Sequence, residues 1–115
     1  MKKLPAFFYR LDSGREPVRE FLLELGRPDS TTIGCDIKTV ELGWPMGMPV
    51  CKPLGSGLWE IRSNISSGRI ARAIFCIHQN RMYLLHGFVK KTLETPKPDM
   101  DLAKARMKDL KRGES

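Results

Sequence analysis

The stretch LWEIRSNISSGRIARAIFCIHQNRMYLLHGFVKK, Leu58 to Lys91, decides the fold. It holds three runs with the side-chain period of a β-strand, separated by two turn signals. In Leu58-Trp59-Glu60-Ile61-Arg62, Trp59 and Ile61 fall on one face, and Leu58, Glu60 and Arg62 on the other. From Arg69 to Ile77, the residues Ile70, Arg72, Ile74 and Cys76 point one way and Ala71, Ala73, Phe75 and Ile77 the other. Met82 to Val89 is nearly all apolar, as befits a central strand buried on both faces. Ser66-Ser67-Gly68 and Gln79-Asn80-Arg81 read as hairpin turns, so the runs form an antiparallel meander.

Upstream, Pro5-Ala6-Phe7-Phe8-Tyr9-Arg10 reads as a first strand ending at the turn Asp12-Ser13-Gly14. Ser13 and Glu16 have capping-box spacing, and Pro17 suits a first helical turn. Val18, Phe21, Leu22 and Leu25 recur at helical spacing and Gly26 supplies a stop. A second helix starts near Asp29-Ser30-Thr31, with Ile33, Ile37 and Val40 as its apolar face, and ends by Gly43. Pro45, Gly47, Pro49, Pro53, Gly55 and Gly57 then mark loops and short extended pieces. Beyond Pro96 a last helix, from about Pro98 to Lys111, presents Leu102, Ala103, Met107 and Leu110. The expected architecture is a single α+β domain spanning 1–115. An N-terminal strand and helices pack on one face of a twisted, mainly antiparallel sheet, and a helix closes the chain.

Composition narrows the class. With 41% apolar and 29% charged residues, the chain is globular rather than disordered. No apolar run approaches the ~20 residues that cross a bilayer. The apolar stretch after Met1-Lys2-Lys3 ends at Arg10 and Asp12, too short for a signal-peptide core, so a cytoplasmic chain is expected. Cys35, Cys51 and Cys76 form no CxxC pair and read as reduced, mostly buried thiols. No HExxH, EF-hand, P-loop or GxGxxG pattern occurs, so no metal and no nucleotide cofactor is implied. Net charge is +7. Residues 1–50 balance seven Lys/Arg against seven Asp/Glu, whereas 51–115 carry thirteen against six. A one-sided basic excess attracts polyanions through counterion release, although charge also serves solubility.

Leu54-Gly55-Ser56-Gly57-Leu58-Trp59-Glu60-Ile61-Arg62 is followed by Gly68-Arg69-Ile70-Ala71-Arg72 and by Leu84-Leu85-His86-Gly87-Phe88-Val89-Lys90-Lys91-Thr92. With Thr95-Pro96 and Ala103…Ala105-Arg106, this ordered set resembles the phage-type HigB branch of the RelE/ParE toxin superfamily, from about Phe8 to Arg106. The resemblance implies a RelE-like fold and the toxin of a type II toxin–antitoxin pair. It also implies a ribosome-dependent, metal-independent endonuclease that cuts mRNA in the decoding site. The implied partner is a helix-turn-helix (HigA-like) antitoxin that silences the toxin and binds operator DNA. The chain departs from the family pattern twice. Relatives often place Tyr where Ala71 and Phe75 stand, and Tyr83 or His86 would then have to supply the missing proton relay.

The residues make chemical sense beside that resemblance. Cleaving RNA without a metal requires deprotonating a 2′-hydroxyl, stabilising a pentavalent phosphate and protonating a 5′-oxygen. Guanidinium forks match phosphate oxygens, so Arg62 and Arg72 form a phosphate clamp if strand register aligns them on one face; otherwise they are solvated strand residues. His86 is either a proton carrier or a hydrogen-bonded core residue. His78, beside a turn, reads as surface. Of Lys90 and Lys91, successive in a strand, only one faces the clamp; the other meets RNA or solvent. Lys52, Arg69 and Arg81 are phosphate contacts or solubilising charges, and Trp59 reads as core. Two further function classes fit the same charges. One is a non-enzymatic inhibitor of a protein such as gyrase, as in the ParE branch; the other is a plain basic nucleic-acid-binding module. The charge-balanced Phe7–Arg10 strand and first helices are candidates for the antitoxin surface.

Overall fold

In a computed structural model describing residues 3–90 and 94–113, the meander forms the middle of a five-stranded sheet. The strands are β1 (Ala6–Phe8), β2 (Cys51–Gly55), β3 (Leu58–Asn64), β4 (Ile70–His78) and β5 (Arg81–Lys90), in the order β1-β5-β4-β3-β2. Only β1 runs parallel to its neighbour, so the sheet is mainly antiparallel, as the alternation implied. Strand β1 is shorter than the aromatic run from Pro5 to Arg10 suggested. Buried Glu41 anchors its start: the Ala6 N–H donates to the Glu41 carboxylate at 2.7 Å, and the Lys3 and Leu4 N–H groups donate to the Glu41 carbonyl. At the β4–β5 turn, Gln79 and Asn80 both adopt positive φ (51° and 61°), the geometry of a two-residue hairpin matched to strand twist.

Helices α1 (Pro17–Leu25) and α2 (Asp29–Gly43) cover one face of the sheet and α3 (Lys97–Arg112) covers the other. Placing every helix on one face is therefore corrected. The physical reason lies in β4 and β5, which are apolar on both sides. Ile61, Ala73, Phe75 and Leu84 pack with Val18, Ile33, Ile37 and Val40, while Leu58, Ile74, Cys76 and Leu85 require a second lid. That lid is the stripe Met100, Ala103, Met107 and Leu110; Leu102, expected on it, is 39% exposed. The Ser13–Glu16 capping box is not formed either. Glu16 itself is the N-cap residue, without a side-chain cap, and the Ser13 hydroxyl accepts from the Arg15 N–H at 3.4 Å. Cys51 and Cys76 are buried, which pushes both thiols up to about 11, but Cys35 lies exposed on α2. Trp59 packs against the α1/α2 core, edge-on to Trp44 with ring centroids 4.9 Å apart.

A single irregularity in β5 decides which of its side chains reach the α3 face. Across β4 and β5, Phe75 pairs with Leu84 but Ile74 pairs with His86, so Leu85 is an extra residue, a β-bulge. Leu84 faces the α1/α2 core, whereas Leu85 faces α3. Strict alternation would have kept His86 and Phe88 on the Leu84 side; the bulge moves both to the α3 side. Gly87 then lies beneath α1, where a Cβ would stand 2.5 Å from the Phe21 ring.

Two substitutions test this packing. Gly87→Ala should destabilise the protein by ~1–3 kcal/mol in denaturant unfolding, and Phe21→Leu in the same chain should recover part of the loss. The Tyr9 hydroxyl donates to Asp109 on α3 at 2.5 Å, and burial, reinforced by that carboxylate, pushes its pKa up to about 12. The folded state thus holds this proton more tightly than the unfolded chain, whose tyrosines titrate near 10. The associated stability is complete below pH ~10 and drains away as pH rises towards ~12. Urea unfolding across that window should show wild type losing stability relative to Tyr9→Phe.

Candidate functional site

The site is built on the α3 side of the sheet, past the N-terminal end of that helix. Residues directly opposite in an antiparallel pair share a face. Arg62 on β3 is opposite Arg72 on β4, which is opposite Phe88 on β5. One step along, Lys52, Glu60, Ile74 and His86 make the next row. The register therefore gathers Lys52, Arg62, Arg72 and His86 on one surface. Lys90 pairs with Ile70, in the same phase; its side chain, and all of Lys91, lie outside the described residues.

The two arginines have different environments. Arg72 is 1% exposed, and its Nη1–H donates to Glu60 Oε1 at 2.7 Å. The Thr95 hydroxyl donates to the other Glu60 oxygen at 2.6 Å, so a fully buried carboxylate serves both groups. Arg72 is thus neither a solvated strand residue nor an open arm of a clamp. Glu60 is its diagonal neighbour across β3 and β4, and a cation at such depth is costly unless a carboxylate meets it. Arg62 is half-buried, and its guanidinium makes no hydrogen bond or ion pair among the described residues. It borders an open cleft of about 400 Å³ with Thr32, Asp36, Pro49, Val50, Asn64 and Ile70.

His86 has partners on two sides. Its Nε2 lies 2.6 Å from Asp99 Oδ1 in the first turn of α3, and its ring stacks on Phe88 at 5.4 Å with 20° between planes. A carboxylate on one ring nitrogen fixes the imidazole's orientation and supports a proton on it, leaving the other nitrogen for a further partner. Arg106 on α3 donates from Nη1 to the Leu85 carbonyl at 2.8 Å. Burial lowers the pKa of that guanidinium, and the bond satisfies the carbonyl at the bulge.

Of the remaining basic candidates, Lys52 ends its row half-buried, opposite Glu60, and the other two lie away from it. Arg69 is committed to the α2 side: its Nη2 donates to Asp29 Oδ2 at 2.8 Å and to the Ser66 hydroxyl at 3.0 Å. Ser66 hydrogen bonds, with Arg69 contributing, hold the Asp29 carboxyl below its usual range. Arg81 sits at the far end of β5 with its guanidinium 4.8 Å from the Phe7 ring centroid. Its partner His78 is six residues along β4 from Arg72, ~20 Å away. His78 is half-buried against Tyr83 rather than on the surface. Sequence reading missed Glu60, Phe88, Thr95, Asp99 and Arg106. Alternation already put Glu60 on the Arg62 face, and Asp99 follows Pro98 in an acidic first helical turn; what they touch was not visible.

Among the described residues, no three His, Cys, Asp or Glu side chains converge to hold a metal ion. None of their helices is long and apolar enough to cross a membrane. The arrangement offers an unengaged guanidinium, a buried guanidinium–carboxylate pair and a carboxylate-oriented imidazole on one sheet face. No curated protein matches the sequence. A family model does, over residues 20–108, from within α1 through most of α3, and it takes in every one of these site residues. The chain belongs to the family of phage-derived Gp49-like proteins (DUF891).

Proposed function

We propose that the chain is the toxin of a type II toxin–antitoxin pair and a metal-independent endonuclease that cuts mRNA on the ribosome. One observation carries the reading: Arg62 faces a cleft without a partner among the described residues, on the same sheet face as the His86–Asp99 pair. Family membership and the basic excess after residue 50 agree with it. In the proposed reaction the 2′-oxygen attacks phosphorus and the bond to the 5′-oxygen breaks, leaving a 2′,3′-cyclic phosphate. Arg62 binds the non-bridging oxygens, where negative charge grows in the transition state. His86 carries the proton, taking it from the 2′-hydroxyl or giving it to the departing 5′-oxygen, with Asp99 holding the ring. Arg72 acts behind them, bracing the sheet face through Glu60. Silencing by a helix-turn-helix antitoxin, and a cytoplasmic place of action, are parts of the same proposal.

The burial of Arg72 favours a second reading, a non-enzymatic inhibitor of a protein target, because it leaves a single open guanidinium where a two-pronged clamp was expected. Primer extension on mRNA after induction separates the two. Discrete cuts inside translated codons are expected; growth arrest with intact message selects the inhibitor. Arg62→Ala should lower cleavage ~10²–10³-fold with an unchanged melting temperature. Arg72→Ala should instead leave Glu60 buried without its cation and destabilise the fold by ~3–5 kcal/mol. A stable Arg62→Ala protein that cuts at the wild-type rate would remove Arg62 from the mechanism.

A further inference from the structure

The cleft beside Arg62 is larger than one phosphate group needs. Its volume of about 400 Å³ lies within the ~300–1,000 Å³ of small-ligand clefts. It occupies the end of the sheet where β2 has not yet begun. There the Arg62 N–H donates to the Val50 carbonyl at 2.9 Å, and α2 comes alongside with Thr32 and Asp36 one helical turn apart. Its lining divides by chemistry. Pro49, Val50 and Ile70 are apolar surfaces for the flat faces of a ring. Thr32, Asp36 and Asn64 are polar groups for its edge, and Arg62 is a cation for an attached anion. Asp36 is half-buried and its carboxylate, like the Arg62 guanidinium, makes no hydrogen bond or ion pair among the described residues, although both residues border the same space.

Apolar walls, an unengaged carboxylate and an unengaged guanidinium together suit one ligand class, a nucleotide. Specific RNA recognition commonly takes an unstacked base out of the strand and bonds its Watson–Crick edge. A carboxylate accepts two parallel hydrogen bonds, and guanine alone among the four RNA bases offers two adjacent donors there, N1–H and the 2-amino group. Adenine, cytosine and uracil each present a single donor next to an acceptor, which a carboxylate repels.

We infer that the cleft between α2 and the β3 edge binds a guanine nucleotide of the RNA. Asp36 reads the base edge, and Arg62 holds the phosphate that joins this nucleotide to its neighbour. Asn64 and Thr32 supply donors for the base oxygen O6. Asp36 is thus a specificity-determining residue, apart from the His86–Asp99 pair. As a cleavage determinant this rests on the endonuclease reading; as a binding site it stands alone.

The test therefore has two arms. In the first, guanosine 5′-monophosphate and adenosine 5′-monophosphate are titrated into the purified protein, with amide chemical shifts as the readout. Guanosine monophosphate should bind ~10-fold or more tightly than the adenosine nucleotide. Asp36→Asn should abolish the preference, and Arg62→Ala should weaken both nucleotides. Equal binding of the two nucleotides by wild type, or shifts confined to residues away from Thr32–Asp36 and Asn64, would overturn the assignment. In the second arm, cut sites are mapped after induction of wild type and Asp36→Asn. Wild-type cuts should be enriched in guanine at one fixed position beside the break, and Asp36→Asn should cut less at those sites, so that the enrichment is lost among its remaining cuts. Unchanged enrichment in the variant would also overturn the inference. Guanosine selectivity in the first arm with no cuts in the second would defeat the endonuclease reading and leave the guanine site standing.

Discussion

The site depends on one added residue in the middle of the central strand. Leu85 breaks the alternation of β5, so His86 and Phe88 emerge on the α3 side, next to Arg72, instead of under α1. A bulge has a cost, since it interrupts the ladder and leaves backbone polar groups to be satisfied elsewhere. Arg106 meets that requirement by donating to the Leu85 carbonyl from α3. The same helix supplies Asp99, which meets His86, and the Met100–Ala103–Met107 stripe that seats Leu85. Strand irregularity, helix docking and imidazole orientation are thus three aspects of one packing solution. Gly87 belongs to it as well: with His86 turned outward, position 87 lies against Phe21, where no side chain fits.

Electrostatics on this face are asymmetric because of the register. Arg62 and Arg72 are opposite each other, yet one is unengaged beside a cleft and the other is fully buried with a carboxylate. Two guanidinium groups this close would repel if both were bare. Glu60 neutralises the inner one, and Thr95 completes the hydrogen bonding of that carboxylate, as a buried charge requires. The outer cation then keeps its full attraction for an anion. The segment carrying Thr95 leads into α3, so the chain that roofs the buried pair also delivers Asp99 to His86.

Much of this was legible in the residues. Period-2 patterning identified the strands of the meander and put Glu60 on the Arg62 side of β3, because a half-buried strand must alternate; that Arg72 of β4 shares this side was decided by the register. Helical spacing located α2 between its observed ends, Asp29 and Gly43. Composition placed the basic excess in the half that holds the site. The apolar run from Met82 to Val89 was a different matter. Where both faces are hydrophobic, the pattern carries no phase information, so neither the bulge nor the side on which His86 emerges can be read from it. Arg69 illustrates the same limit. Its charge suggested phosphate, but its geometry serves the Asp29–Ser66 turn.

What the sequence determined by itself is every α-helix and every strand but β2, the α+β class and the inventory of chemically capable side chains. Local backbone preference and hydrophobic periodicity are encoded within a few residues of each position. Tertiary structure alone decided which side chains meet: that Glu60 buries Arg72 while Arg62 stays unengaged, that Asp99 reaches back to His86, and that Asp36 of α2 shares a cleft with Arg62 of β3. These contacts join segments far apart in the chain. They arise from strand register, one bulge and the docking of α3, which only the simultaneous packing of both sheet faces can set.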